Sequence, residues 1–143
     1  KGTGYMSRIS GPLLDRIDIH IEVPAVPFQK LADMKEGEPS KDIQARVQKA
    51  REVQLSRFNK SANLFANAQM ESQDIKAHCG LDNESSELLR TAMDKLGLSA
   101  RAYDRILKVS RTIADLDRKI KIDSGHISEA IQYRSLDRQL WLG

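Results

Sequence analysis

Two arginines stand where a permanently charged, forked cation could meet phosphate. Arg16 closes the run SGPLLDR, just ahead of the alternating segment IDIHIEV. A guanidinium stays charged at physiological pH and presents several N–H donors in one plane. It can therefore stabilise the charge that develops on a transferring γ-phosphoryl group. The same side chain could be solvated, or paired with Asp15 or Asp18, and spacing by itself favours that reading. Arg101 lies in LSARAYDR, at the start of a helix that Ser99 can cap. Helix N-termini attract phosphate through unpaired N–H groups and the aligned peptide dipoles. A cation there works against the dipole, which hints at a function; the alternative is an exposed arginine paired with Asp104.

The remaining chemically capable residues carry weaker signals. Arg105 and Arg111 share the helix of Arg101 and read as surface charge. Arg46, Lys49, Arg51 and Arg57 form a basic helix face that could contact DNA or a neighbouring subunit. Asp42 and Glu52 interrupt that face and no aromatics interleave it for base stacking, so a solvated face is the better reading. His20, His78 and His126 are too dispersed for a site, and His126, near a helix start, reads as structural. Cys79 reads as a small buried hydrophobe and not a nucleophile. Tyr133, Arg134 and Asp137 in QYRSLDR could pin the C-terminal turn, with no chemical role assigned.

The elements that must position these residues are mostly helical. With 143 residues the chain is long enough for one domain, or one and a fragment, with a real core. Apolar residues make up 40% and charged residues 30%, which fits a globular chain and not a disordered one. No apolar run approaches the roughly 20 residues of a membrane helix. Residues 1–8 do not read as a secretory signal, and a single cysteine excludes an internal disulfide and suggests a reducing, cytoplasmic setting. One Cys and three scattered His give no zinc spacing, so no metal site is expected. The net charge of +3 permits contact with nucleic acid without indicating it.

Residues 17–23 alternate like a half-buried strand, ended by Pro24 and Pro27, and residues 24–39 read as a linker. From Ser40 the period becomes helical. Ser40 can cap a first helix that runs to about Phe58, with Ile43, Val47, Ala50 and Val53 on one face. Ser72 caps a short helix that holds Ile75 and Cys79 and stops at Gly80. Asp82 caps the next, whose inward stripe is Leu88, Leu89, Ala92, Met93 and Leu96, with Gly97 closing it. Ser99 opens a longer helix with Tyr103, Ile106, Leu107, Val109, Ile113 and Leu116 inward. A polar turn over 117–122 leads to a last helix from Asp123 or Ser124 to about 134. Short connections favour antiparallel packing of successive helices. The fold class is thus mainly α: a helical bundle preceded by a strand that has no sheet. A strand without a sheet suggests a piece of something larger.

Four blocks carry a resemblance over nearly the whole chain: YMSRISGPLLDRIDIHIEVP, GEPSKDIQARVQKAREVQLSRF, LGLSARAYDRILKVSRTIADL and HISEAIQYRSLDR. Together, in this order, they resemble the C-terminal part of magnesium-chelatase-like AAA+ ATPases of the YifB/ComM type. The resemblance implies that residues 1–23 end the AAA+ core, with the last strand of its parallel sheet. Residues 24–39 would then be a linker and 40–143 a helical lid domain. It implies that Arg16 is an arginine finger acting on a neighbouring subunit's γ-phosphate, and that Arg101 is the sensor-2 arginine. ATP and Mg²⁺ are the cofactors implied for the full-length protein. This chain lacks G-x-x-x-x-G-K-[ST], so it should not be catalytic, or hold either cofactor, alone. The implied partners are the rest of its own core, further copies in a homo-oligomeric (hexameric) ring, and DNA, with no membrane. The implied work is DNA remodelling by branch migration; metal insertion fits the YifB/ComM type less well. A stand-alone helical module that binds DNA or protein is the alternative. Residues 1–23 are expected to be poorly ordered without their sheet, because a lone strand leaves its backbone groups unpaired.

Overall fold

The computed structural model describes residues 18–19, 21, 25, 27–32, 37–61 and 63–134. Among the described residues the regular structure is six α-helices and one 3-10 turn: α1 (Phe28–Ala32), α2 (Ser40–Arg57), the 3-10 turn (Asn67–Gln69), α3 (Ser72–His78), α4 (Asn83–Leu96), α5 (Ala100–Leu116) and α6 (Ser124–Gln132). No strand occurs among the described residues. The strand expected over 17–23 lies largely outside them, as does its expected disorder; Asp18, Ile19 and Ile21 are described and are not in a strand.

Local chemistry sets the helix ends. The Asp82 carboxylate accepts the Ser85 N–H at 2.7 Å, the Ser99 hydroxyl accepts the Ala102 N–H at 3.1 Å, and the Asp123 carboxylate accepts the His126 N–H at 3.1 Å. Each satisfies one of the N–H groups that a helix start leaves without a partner. The bond to Ser85 also holds the Asp82 carboxyl below the usual carboxylate range. Gly97 closes α4 in the left-handed region at φ 60°, where a side chain would meet backbone. Two caps differ from expectation. Ser72 is the first helical residue of α3, and Glu71 takes the cap position, its N–H donating to the Asp74 carboxylate at 2.9 Å. Ser40 is likewise the first residue of α2, after Pro39.

The longest apolar stripe makes α5 the centre of the bundle. It packs against α2, the 3-10 turn, α3 and α6, and α4 lies against α6. The expected packing of successive helices therefore holds for α5 and α6, while α4 makes its main contact with α6. The core comprises Phe58, Met70, Ile75, Cys79, Leu89, Ile106, Leu107, Ala114, Ile122, Ile127 and Ala130. Several expected inward residues lie at its edge: Tyr103 is 41% exposed, Leu116 39% and Leu88 36%. On α2 only Ala50 of the expected face is buried, and Ile43, Val47 and Val53 stay exposed. In their stead the core takes in polar side chains, namely Gln54, Asn67, Ser110, Arg111 and Asp115.

Cys79 is 4% exposed, and burial pushes its thiol up to about 11, against the opposing pull of Arg111 and Arg57. Its expected role as a buried hydrophobe stands. Because the thiolate is the reactive form, Cys79 should resist a disulfide reagent at pH 8 in the native protein and react at once in denaturant. Rapid labelling of the native chain would contradict this placement.

Candidate functional site

The buried polar groups form one connected cluster, and Asp115 is its hub. Asp115 sits in the last turn of α5 with its side chain 1% exposed. Both of its oxygens accept from the Arg57 guanidinium, at 2.6 and 2.9 Å. Asp115 Oδ2 also accepts from Asn67 Nδ2 at 2.9 Å. Arg111, one helical turn earlier, brings a second guanidinium to 3.3 Å of Oδ1. Paired, two-pronged bonds between guanidinium and carboxylate are among the strongest available to side chains, and a low local dielectric strengthens them.

The cluster joins four pieces of chain that are distant in sequence. Asn67 Oδ1 accepts from Arg57 at 2.8 Å, Asn67 Nδ2 donates to Thr112 Oγ1 at 3.0 Å, and its backbone N–H donates to Gln54 Oε1 at 3.0 Å. This ties the 3-10 turn to α2 and α5. Arg111 donates from Nη1 to the Ile120 carbonyl and from Nη2 to the Lys119 carbonyl, both at 2.9 Å. The turn after α5 is thereby held against the helix it leaves. Within that turn Arg118 adopts φ 58°, a backbone region that L side chains seldom occupy. Burial lowers the proton affinity of Arg111; Asp115 opposes this and the Arg57 charge adds to it. The sequence reading of Arg57 and Arg111 as solvated charge is corrected here. Arg111 is 4% exposed, and the Arg57 side chain is half-buried against a carboxylate 58 residues away.

His126 completes the same end of the bundle. The Asp123 N–H donates to Nδ1 at 3.0 Å, so Nδ1 is the accepting nitrogen. Nε2 then carries the hydrogen and points it at Asp117 Oδ2, 2.9 Å away. Its structural role was legible from its place near a helix start. The reciprocal cap was not, because histidine stands where Glu or Gln usually completes the motif.

The two arginines singled out for phosphate chemistry lie elsewhere. Arg101 is exposed in the first turn of α5, at the opposite end of the helix from Asp115. Arg16 lies outside the described residues. Two residues beyond it, Asp18 pairs with Arg105, which is half-buried on α5. Arg105 was expected to be surface charge and is instead the link between α5 and this N-terminal segment. Among the described residues no group of His, Cys, Asp or Glu could hold a metal ion, and no helix is long and apolar enough to cross a membrane. With no phosphate-cradling glycine loop either, the described residues do not fit a complete nucleotide and Mg²⁺ site. What they can contribute is cationic side chains at an edge.

Comparison with known proteins gives the family. Residues 37–134 match the family described as magnesium chelatase, subunit ChlI C-terminal, and residues 1–31 match magnesium chelatase, subunit ChlI. The chain belongs to this magnesium chelatase family, as a C-terminal part of the YifB/ComM type. It is 44% identical to competence protein ComM of Haemophilus influenzae, over 95% of this chain and 26% of the relative. It is 42% identical to the uncharacterized protein YifB of Escherichia coli, over the same shares of each. The Salmonella typhimurium YifB protein is similar at 39%. The chain thus spans about a quarter of the length of the curated relatives it matches.

Removing one partner from a buried ion pair leaves an uncompensated charge. Asp115→Ala strands two guanidiniums and should lower unfolding free energy by about 3–5 kcal/mol. Asp115→Asn, which keeps oxygen and shape, should cost less. Urea unfolding of both variants measures this, and an Asp115→Ala loss below about 1 kcal/mol, the value of a surface pair, would remove Asp115 from the centre of the fold.

Proposed function

We propose that this chain is the lid of a magnesium-chelatase-like AAA+ ATPase and serves to report nucleotide state. Residues 1–23 close the ATPase core, 24–39 link it, and 40–143 form the lid. ATP and Mg²⁺ are held by the rest of the full-length protein. Arg101 contacts the nucleotide phosphates as a sensor-2 arginine. Arg16 reaches the γ-phosphate bound by a neighbouring subunit of a homo-oligomeric ring, where such a finger contributes on the order of 10³-fold or more in rate. The observation that carries this reading is the placement of Arg101. It is exposed on the first turn of the central helix, where a phosphate would meet both its guanidinium and the positive end of the helix dipole.

The far end of that helix is fixed by Asp115 to α2 and the 3-10 turn, and by Arg111 to the following turn. A displacement at Arg101 would therefore move the bundle as a body and not bend one helix. ATP hydrolysis becomes lid motion in the ring, located in the cytoplasm. One relative is named for competence, and DNA is the proposed substrate, with branch migration as the work. A stand-alone module that reads DNA with the basic face of α2 has less support. Arg57 of that face is committed to Asp115, and Arg46 is paired with Glu38.

The test is ATP hydrolysis by the full-length protein, wild type against Arg16→Ala and Arg101→Ala, with nucleotide binding and oligomer size measured alongside. Arg16→Ala should bind ATP and assemble yet hydrolyse about 10³-fold more slowly. Arg101→Ala should uncouple hydrolysis from assembly. Unchanged hydrolysis in both variants would refute the reading.

A further inference from the structure

A groove opens directly over the buried cluster, on a face that the proposed lid function does not use. It measures about 1010 Å³ and lies between α2, α3, the end of α5 and the turn that follows. Its floor contains Arg57, Arg111 and Asp115. Two guanidiniums there share one carboxylate, so the floor carries one positive charge more than it neutralises. The Arg111 Nε is buried with no hydrogen-bond partner among the described residues. A buried cation surplus is costly unless an anion lies close.

The rim adds to the surplus. Lys49, Arg118 and Lys119 all border the opening and all are exposed, and Glu52 is the one further carboxylate there. Among the described lining residues the groove sets five permanent cations against two carboxylates, a surplus of three. Arg118 reaches the rim from a backbone conformation at φ 58°, strain of the kind that persists where surrounding structure holds it. The Arg111 bonds to the Lys119 and Ile120 carbonyls supply that hold.

We propose that this groove binds a phosphate-bearing ligand that presents two or more phosphate charges. A single carboxylate would cancel one of the three surplus charges. A phosphomonoester brings about −1.5 to −2, and linked or successive phosphates bring enough to balance the site. The lysines serve as point charges for phosphate and the Arg118 fork can bind two of its oxygens. The groove is distinct from the Arg101 end of α5, so this inference does not rest on the nucleotide-sensing role. The two possible sources, a free polyphosphate group and a nucleic-acid backbone, share this chemistry.

The experiment titrates this chain with inorganic pyrophosphate, with a short oligothymidylate and with a glutamate peptide of equal charge, followed by backbone and arginine side-chain NMR. Pyrophosphate should give saturable shifts at Arg118 and Lys119 and at the side chains of Arg57 and Arg111. The combined variant Lys49→Ala, Arg118→Gly, Lys119→Ala should bind about tenfold more weakly, since each exposed contact is modest. Glycine suits the backbone at position 118, and the three side chains are exposed, so the variant keeps the fold. Arg51→Ala, outside the groove, should bind as wild type. Tighter binding of the oligonucleotide at the same residues identifies a nucleic-acid backbone as the source; pyrophosphate binding without it identifies a free phosphate group. Preference for the glutamate peptide, shifts spread over every basic residue, or binding indifferent to the triple substitution would overturn the proposal.

Discussion

One carboxylate, that of Asp115, holds this domain together. It lies in the core with its side chain 1% exposed and meets the guanidiniums of Arg57 and Arg111 and the amide of Asn67. An isolated buried charge of this kind would cost several kcal/mol. Here its oxygens accept at least three hydrogen bonds, and each donor is anchored by a further contact of its own. The apolar core cannot substitute for this arrangement. Apolar contact is indifferent to register, whereas a forked pair fixes distance and orientation together. The relative placement of α2, the 3-10 turn and α5 is therefore set by polar geometry within an apolar surround.

That constraint gives α5 two distinct ends. Near its C-terminus, Arg111 binds the carbonyls of Lys119 and Ile120, while the His126 Nε2–H reaches Asp117 from α6. At its N-terminus, Ser99 caps the helix and Arg101 stands exposed. The chain belongs to the magnesium chelatase family and spans about a quarter of the length of the relatives it matches.

Local punctuation was legible in the sequence. Asp82, Ser99, Asp123 and Gly97 each announce a helix end through short-range chemistry, and the structure places all four in those roles. The polar core was not legible, for a definite reason. Arg57 and Arg111 look like solvent-facing charge unless their common partner is known, and for Arg57 that partner lies 58 residues further along the chain. Asn67 sits in a stretch without periodicity, so nothing local reveals that it bonds both α2 and α5. Tyr103 and Leu116 illustrate the opposite error. Helical periodicity marks them as inward, yet they stay 41% and 39% exposed at the edge of the core. The place of Arg101 at the start of a helix capped by Ser99 was legible. The role of Arg105 in pairing with Asp18 was not, because that contact spans 87 residues.

The central claim is that α5 is held at Asp115 so that Arg101 can read a bound nucleotide. A structure of the full-length protein with a non-hydrolysable ATP analogue tests it most directly. The account predicts the Arg101 guanidinium within hydrogen-bond distance of a phosphate oxygen, with the Arg57–Asp115 pair intact. An Arg101 side chain directed to solvent while nucleotide fills the site would contradict it.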